Sequence, residues 1–191
     1  GVGMLQALGY DFVTREGKAI SYGGNGLREL ARIEETNVHP KLKECTFKVA
    51  CDVTNPLCGE NGSSAIFGPQ KGATPEMVQE LDQLLLHYAE LSKSINSYAD
   101  RFYPGTGAAG GMGFAFLTYT NATLESGIQI VLTETKLEEL IATADFVVTG
   151  EGRLDGQTAL GKAPIGVAAL AKKYQKKVLA FAGAVTPDAK E

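Results

Sequence analysis

The chain is poor in the residues that usually announce a metal or redox site. It has three cysteines in 191 residues, Cys45, Cys51 and Cys58. An odd number with no C-x-x-C pair suggests neither a disulfide framework nor a zinc site, and reduced, partly buried thiols are the reading. It has two histidines: His39 precedes Pro40 in a turn-like stretch, and His87 lies on the solvent-leaning side of a helical pattern. Neither has a Ser or Asp partner in view, so no nucleophilic relay is expected from them. The longest apolar runs, "GIQIVL" and "VLAFAGAV", are well short of the ~20 residues of a spanning helix. No charged-then-apolar leader opens the chain. Lysines are scattered and the formal net charge is −4, which argues against nucleic acid or an anionic membrane as the main partner. The expectation is a cytoplasmic protein with a small-molecule partner, and self-association into a homo-oligomer is left open. The chain opens Gly1-Val2-Gly3 in mid-element and closes on "TPDAKE" just after an apolar strand pattern, so a fragment of a longer protein is expected.

A composition of 44% hydrophobic and 21% charged residues is ordinary for a globular chain, and no internal repeat appears. "MLQALGYDFVTREGKAISYGG" predicts the end of a helix closed by Gly9, then a hairpin about "REGK". "GNGLRELARI" puts Leu27, Leu30 and Ala31 at helical spacing with Asn25 as cap, and "TFKVACDV" reads as a strand ending at Asp52. From Thr54 to Ala73 turn formers dominate, predicting a long loop of the kind that is often functional. Thr74-Pro75-Glu76 opens a helix with a cap, a first-position proline and a first-turn acid. Met77, Leu81, Leu84, Leu85, Tyr88, Leu91 and Ile95 then keep the three-four spacing of an amphipathic helix. "PGTGAAGGMGFAFLTYT" predicts a glycine-rich loop entering a buried helix, and "GIQIVLTETKLEELIATA" is helical mainly in its second half. The remainder reads as strand "DFVVT", polar loop "GEGRLDGQTALGK", helix "APIGVAALAKKYQ" and strand "KKVLAFAGAV". That is a βαβ unit with parallel strands. The fold class expected is therefore α/β, a parallel or mixed sheet with flanking helices.

Ligands of open α/β sheets gather at the carboxyl ends of strands, which singles out three segments. In "PGTGAAGGMG" the glycines can bring backbone N–H groups close to an anion, or can equally serve tight helix packing at Gly110, Gly111 and Gly113. The segment matches neither a Walker loop nor a clean dinucleotide fingerprint. In the polar loop, Glu151 and Asp155 are four residues apart among glycines, with Arg153 and Lys162 near. These acids suit Mg²⁺ or a hydroxyl proton and the cations suit phosphate, while capping and local ion pairing explain them as well. Asp52 and Asn55 can bind a substrate hydroxyl or metal, or can fix a turn. Lys71 stands just before a helix start, where a cation opposes the dipole unless an anion is bound.

Taken together, "GMLQALG", "VACDVTNPLCGENGSSAIFGPQKGATPEMV", "PGTGAAGGMGFAF" and "DFVVTGEGRLDGQTALGKAPIGVA" resemble the bacterial glycerate kinase family, over nearly the whole chain. The resemblance implies transfer of the ATP γ-phosphoryl group to a hydroxyl of D-glycerate, with Mg²⁺ accompanying ATP. It implies a protein about twice this length with two α/β domains. Residues 1–145 would then belong mostly to an inserted domain, truncated at its N-terminal side, and residues 146–191 to a flavodoxin-like one. The positions that match are Asp52, Asn55, Gln70, Lys71, Gly105 to Gly113, Glu151, Arg153, Asp155, Gln157, Thr158 and Lys162. On that resemblance Asp52, Asp155, Lys71 and Arg153 are expected to be catalytic. Gly105, Gly107, Gly110, Gly111, Thr158 and Lys162 would border ATP, Asn55, Gln70 and Gln157 would bind substrate, and Glu151 would hold the metal. Two other readings stay open: a non-catalytic module that binds small hydroxy acids, and a Mg²⁺-dependent phosphohydrolase.

Overall fold

The computed structural model describes residues 1–155 and 163–186. The chain divides into two compact units, Gly1–Leu124 and Glu125–Glu191; this division falls ahead of the residue-145 boundary expected from the sequence. Among the described residues no helix is long and apolar enough to cross a membrane.

The first unit starts with helix α1 (Val2–Ala7), which ends just ahead of Gly9 as expected. Strand β1 (Asp11–Val13) pairs antiparallel with β2 (Arg32–Glu34), Phe12 standing opposite Ile33. The hairpin expected about "REGK" is reduced to one antiparallel bridge, Val13 to Ala19. The stretch expected to be a helix capped by Asn25 is a 3-10 helix, Gly24–Glu29, with Gly23 at its N-cap. A glycine-rich entry without a side-chain cap does not sustain α geometry, and the chain leaves at Leu30 in extended conformation. A second 3-10 helix, Pro40–Glu44, begins at His39, whose Nδ1 accepts from the Lys41 N–H. Strand β3 (Phe47–Ala50) follows and pairs with β4 (Ala122–Glu125), an element the sequence patterns missed.

The long helix is α3, Pro75–Ser92, with the Thr74 hydroxyl accepting from the Met77 N–H. His87 is not simply solvated: its Nε2 lies 2.9 Å from the Leu30 carbonyl and ties α3 to the end of the 3-10 turn. Helix α4 (Ala108–Tyr119) carries the buried Phe114, Ala115 and Tyr119. The core is built around aromatic rings from these elements. Tyr10 meets Tyr119 edge-on at 4.9 Å, Tyr88 meets Phe114 edge-on at 5.3 Å, and Phe12 packs beside both Tyr88 and Tyr119. Their polar ends are threaded together. The Tyr10 hydroxyl donates to the Tyr119 carbonyl, and Ser92 Oγ donates to the Tyr88 carbonyl. With its proton so placed, Ser92 Oγ accepts from the Tyr119 hydroxyl at 2.7 Å. Burial pushes the Tyr119 hydroxyl well above its ordinary range, which keeps it a donor.

The second unit has helices α5 (Gly127–Glu134) and α6 (Leu137–Thr143), separated by Lys136 at φ 53. "GIQIVL" is therefore helical, not only the second half of its segment. Strand β5 (Phe146–Leu154), helix α7 (Ala163–Lys173) and strand β6 (Lys177–Val185) form the expected βαβ unit, with β5 and β6 parallel and Val147 opposite Val178. One face of the pair holds Val147, buried with Ile141 and Ala171. On the other face Phe146, Val148, Leu179 and Phe181 are exposed. Helices α6 and α7 are pinned through Glu138, which accepts from Lys173 Nζ and the Tyr174 hydroxyl.

The cysteines are free: Cys45 exposed, Cys51 half-buried and Cys58 buried. Burial first, and then Asp82, raise the Cys58 thiol. Leu57 beside it is fully buried. Leu57→Ala is expected to lower unfolding free energy by about 2–5 kcal/mol. Tyr119→Phe, which removes only the bond to Ser92, is expected to cost about 0.5–1.5 kcal/mol. Urea denaturation of both variants measures the order.

Candidate anion-binding cavity and strand-end acids

The expected long loop from Thr54 to Ala73 is more ordered than its composition suggests. Leu57 donates its N–H to the Arg101 carbonyl at 2.9 Å and accepts from the Ser63 N–H at 3.0 Å. The Asn55 side chain donates to the Asn61 carbonyl at 3.0 Å, and the Gly59 N–H donates to Asp82 of α3 at 2.9 Å. Residues 55–62 are thus closed into a tight turn that delivers Ser63 and Ser64 to a short helix, α2 (Ser63–Phe67). A 3-10 turn, Pro69–Lys71, leads on to α3. The loop reading failed here because a one-turn helix has too few residues to show a period.

The glycine segment makes three successive left-handed residues, Ala109 (φ 48), Gly110 (φ 70) and Gly111 (φ 89), before α4 settles into regular geometry. Left-handed backbone costs a residue with a Cβ roughly 1–2 kcal/mol, so Ala109 is held there by its surroundings. At Gly111 the need for glycine is double, since an added Cβ would lie 2.8 Å from Leu57 Cδ1. At Gly113 the need is close approach, because a Cβ would overlap the Gly105 carbonyl. Gly107 donates its N–H to the Asn55 carbonyl at 2.9 Å, joining this segment to the loop before α2.

Between these two segments lies a cavity of about 320 Å³. Leu27, Phe67, Leu81 and Leu85 give it apolar walls, and Tyr88 lies against it. Gln6, Ser21, Ser63 and Ser64 supply side-chain polar groups, Gly110 and Gly111 border it together with Gly1 to Gly3, and among the described residues Lys71 is the charged side chain in the lining. Three of the expected site residues, Lys71, Gly110 and Gly111, therefore share one concavity. Asp52, Asn55, Gln70, Gly105 and Gly107 stand outside its lining. Asn55 and Gly107 build the frame, while Asp52 and Gln70 are exposed. Ser63 and Ser64 were missed by the sequence reading, and their one signal is position: two serines directly after a loop-closing glycine and before an apolar turn.

In the second unit, β5 runs through Leu154, beyond the "DFVVT" expected, so Glu151 and Arg153 lie on the strand and not in a loop. Extension is favoured because β6 offers partners along the whole length: Glu151 pairs with Ala182 and Arg153 with Ala184. With the two-residue alternation of a strand, Glu151 and Arg153 share the face of Val147, and Asp155 continues that alternation at the carboxyl end. Glu151 and Asp155 are half-buried and Arg153 is exposed. The expected site residues Gln157, Thr158 and Lys162 lie outside the described residues. Among the described residues no three His, Cys, Asp or Glu side chains gather as a ready-made metal cage.

Fold and geometry define the class: an α/β protein with an apolar-walled cavity lined by Lys71 in one unit and two acids, Glu151 and Asp155, toward the end of a parallel strand in the other. The chain belongs to the glycerate kinase family, whose profile matches residues 1–191. It is 51% identical over 188 residues to the glycerate 2-kinase of Escherichia coli K12, covering 98% of this chain and 49% of that protein. It is 45% identical to the glycerate kinase of Bacillus subtilis 168, again covering 98% of this chain and 49% of the relative. A crystal structure of a Salmonella typhimurium LT2 protein assigned as glycerate kinase 2 superposes with a TM-score of 0.90 at 47% identity, over 97% of this chain and 52% of that one. The chain thus spans about half the length of the curated relatives it matches.

The left-handed turn and the cavity wall meet at Gly111. Gly111→Ala combines backbone strain with overlap on Leu57 and is expected to destabilise by about 1–3 kcal/mol. Gly110→Ala, whose Cβ would meet nothing within 4 Å, carries the strain alone and should cost less. Thermal melts of the two variants measure the difference.

Proposed function

We propose that the protein carrying this chain is a cytoplasmic glycerate kinase that transfers the γ-phosphoryl group of ATP to a hydroxyl of D-glycerate. The observation that carries the reading is the cavity of the first unit, where Lys71 faces an apolar-walled space bordered by the left-handed Gly110–Gly111 turn. A lysine side chain with no carboxylate among the described lining residues suits an anion. Family membership supplies the expectation of which anions are present, and the relatives' names supply glycerate. Phosphoryl transfer asks a protein for positioning and charge neutralisation more than for covalent chemistry.

In this reading Asp155, or Asp52, orients the acceptor hydroxyl and takes its proton, and Arg153 neutralises phosphate. Glu151 holds Mg²⁺. The donor chemistry fits that ion: Mg²⁺ on a nucleotide is usually held by one or two carboxylates together with phosphate oxygens and water, and Glu151 brings one half-buried carboxylate near the carboxyl end of β5. Mg²⁺ so bound would neutralise phosphate charge. The glycine segment, with Thr158 and Lys162, borders ATP, and Asn55, Gln70 and Gln157 support the substrate. The exposed apolar residues Phe146, Val148, Leu179 and Phe181 support a place for β5 and β6 in a larger, flavodoxin-like sheet, since parallel sheets have both faces covered.

In a coupled ADP-release assay on a protein of the relatives' length, D-glycerate should stimulate ADP formation, with phosphoglycerate identified by NMR. Failure to do so removes the reading, and phosphate release without an acceptor identifies a hydrolase. Asp155→Asn should lower turnover by about 10²-fold or more. Unchanged turnover would pass the role to Asp52.

A further inference from the structure

Asp82 stands in the middle of α3, half-buried, and its Oδ1 accepts the Gly59 N–H at 2.9 Å. Among the described residues no other hydrogen bond joins the 55–62 turn to α3. Gly59 itself is exposed and sits at φ 96, and its carbonyl takes the Gly62 N–H at 2.8 Å. That turn holds the positions expected of the site. The Asn55 side chain donates to the Asn61 carbonyl, and the Asn55 carbonyl accepts the Gly107 N–H. A Cβ added at Gly105 would lie 2.9 Å from Cys51 Sγ and 3.3 Å from the Val53 carbonyl oxygen, and one at Gly107 would overlap the Pro56 carbonyl. Residues 51–56 and the glycine segment are therefore packed with no room for a side chain between them, so a displacement of one is passed to the other.

We propose that Asp82 is a positioning residue of the phosphoryl transfer: from α3 it fixes the 55–62 turn through Gly59, and through that turn it fixes Asn55 and the Gly105–Gly107 segment. Asp82 itself touches neither substrate. The proposal rests on the kinase reading above. Three features favour positioning over a merely structural bond. Gly59 is exposed, so water can take its N–H when the carboxylate is removed, and the loss orphans no buried donor. The bond's value then lies in where it holds the turn. Its anchor is the longest helix of the described residues, closed at its start by the Thr74 cap, which makes α3 a fixed reference for a turn-rich segment. A backbone N–H on a carboxylate is also stronger and shorter than one on a neutral acceptor. Phosphoryl transfer draws on alignment more than on covalent chemistry, and a small misplacement of positioning groups is costly to it.

The test compares Asp82→Ala and Asp82→Asn with Glu80→Ala, which breaks the Arg28–Glu80 pair on the same helix, all in a protein of the relatives' length. Amide hydrogen exchange of the 58–62 segment is followed by mass spectrometry. The kcat and the KM values for D-glycerate and ATP are measured at a temperature where circular dichroism shows every variant as folded as the parent. In Asp82→Ala, exchange at 58–62 should rise by about tenfold as the turn opens locally. Its kcat should fall by about tenfold or more, with both KM values within about threefold of the parent. Asp82→Asn, whose amide oxygen can still accept the Gly59 N–H, should recover most of that kcat, and Glu80→Ala should match the parent in both readouts. Unchanged exchange or unchanged kcat in Asp82→Ala overturns the proposal. So does an Asp82→Asn as slow as Asp82→Ala, or an equal loss of kcat in Glu80→Ala. The two readings fail separately: absence of glycerate-stimulated ADP release in the parent protein defeats the kinase, whereas an active parent with an indifferent Asp82→Ala defeats only the positioning role.

Discussion

The first unit depends on the packing of Leu57 against Gly111. Leu57 is completely buried, its N–H is taken by Arg101 and its carbonyl by Ser63, so one residue connects the start of the glycine segment, the left-handed turn and the first turn of α2. Because Gly111 has no Cβ, the leucine side chain can come within contact of the turn's backbone. Both walls of the cavity are set by that approach: Ser63 and Ser64 on one side, Gly110 and Gly111 on the other.

The same constraint explains why polar chemistry can sit in an apolar frame. Asp82 on α3 accepts from Gly59 and Asn55 bonds within its own loop, so the loop's backbone and amide groups are satisfied locally. Ser63 and Ser64 border the space between the walls. In the aromatic cluster behind, Ser92 and Tyr119 are bonded to each other and the Tyr10 hydroxyl to the Tyr119 carbonyl, while the buried Tyr88 hydroxyl has no partner among the described residues.

Legibility in the sequence followed the length of the signal. Helix α3 was plain from its cap and its three-four spacing, and the βαβ unit was plain from two apolar strands around a helix. Short elements were opaque. Gly24–Glu29 carried helical spacing and became a 3-10 turn, Ser63–Phe67 was hidden in a turn-rich stretch, and β4 had no pattern of its own. The reach of β5 through Leu154 was also hidden, because the glycines at 150 and 152 look like a loop until β6 lies alongside to pair with Gly150, Glu151, Arg153 and Leu154. Of the site residues, Lys71 and the glycines were conspicuous through their positions near helix starts, while Ser63 and Ser64 were not, since serine after glycine is ordinary in a loop.

Local order alone determined where helices could start, where the chain had to turn, the family to which the motifs point, and the chemistry available to it: acids, cations and glycines in a few short runs. Tertiary structure decided which of these share a space. Lys71 meets Gly110 and Gly111 across a cavity while Asp52 and Gln70 remain outside it. The physical reason is that capping, spacing and backbone preference act over a few residues and are written in sequence order. The enclosure of a cavity depends on close approach between segments some fifty residues apart, and nothing in the order of residues shows that approach until Leu57 packs against Gly111.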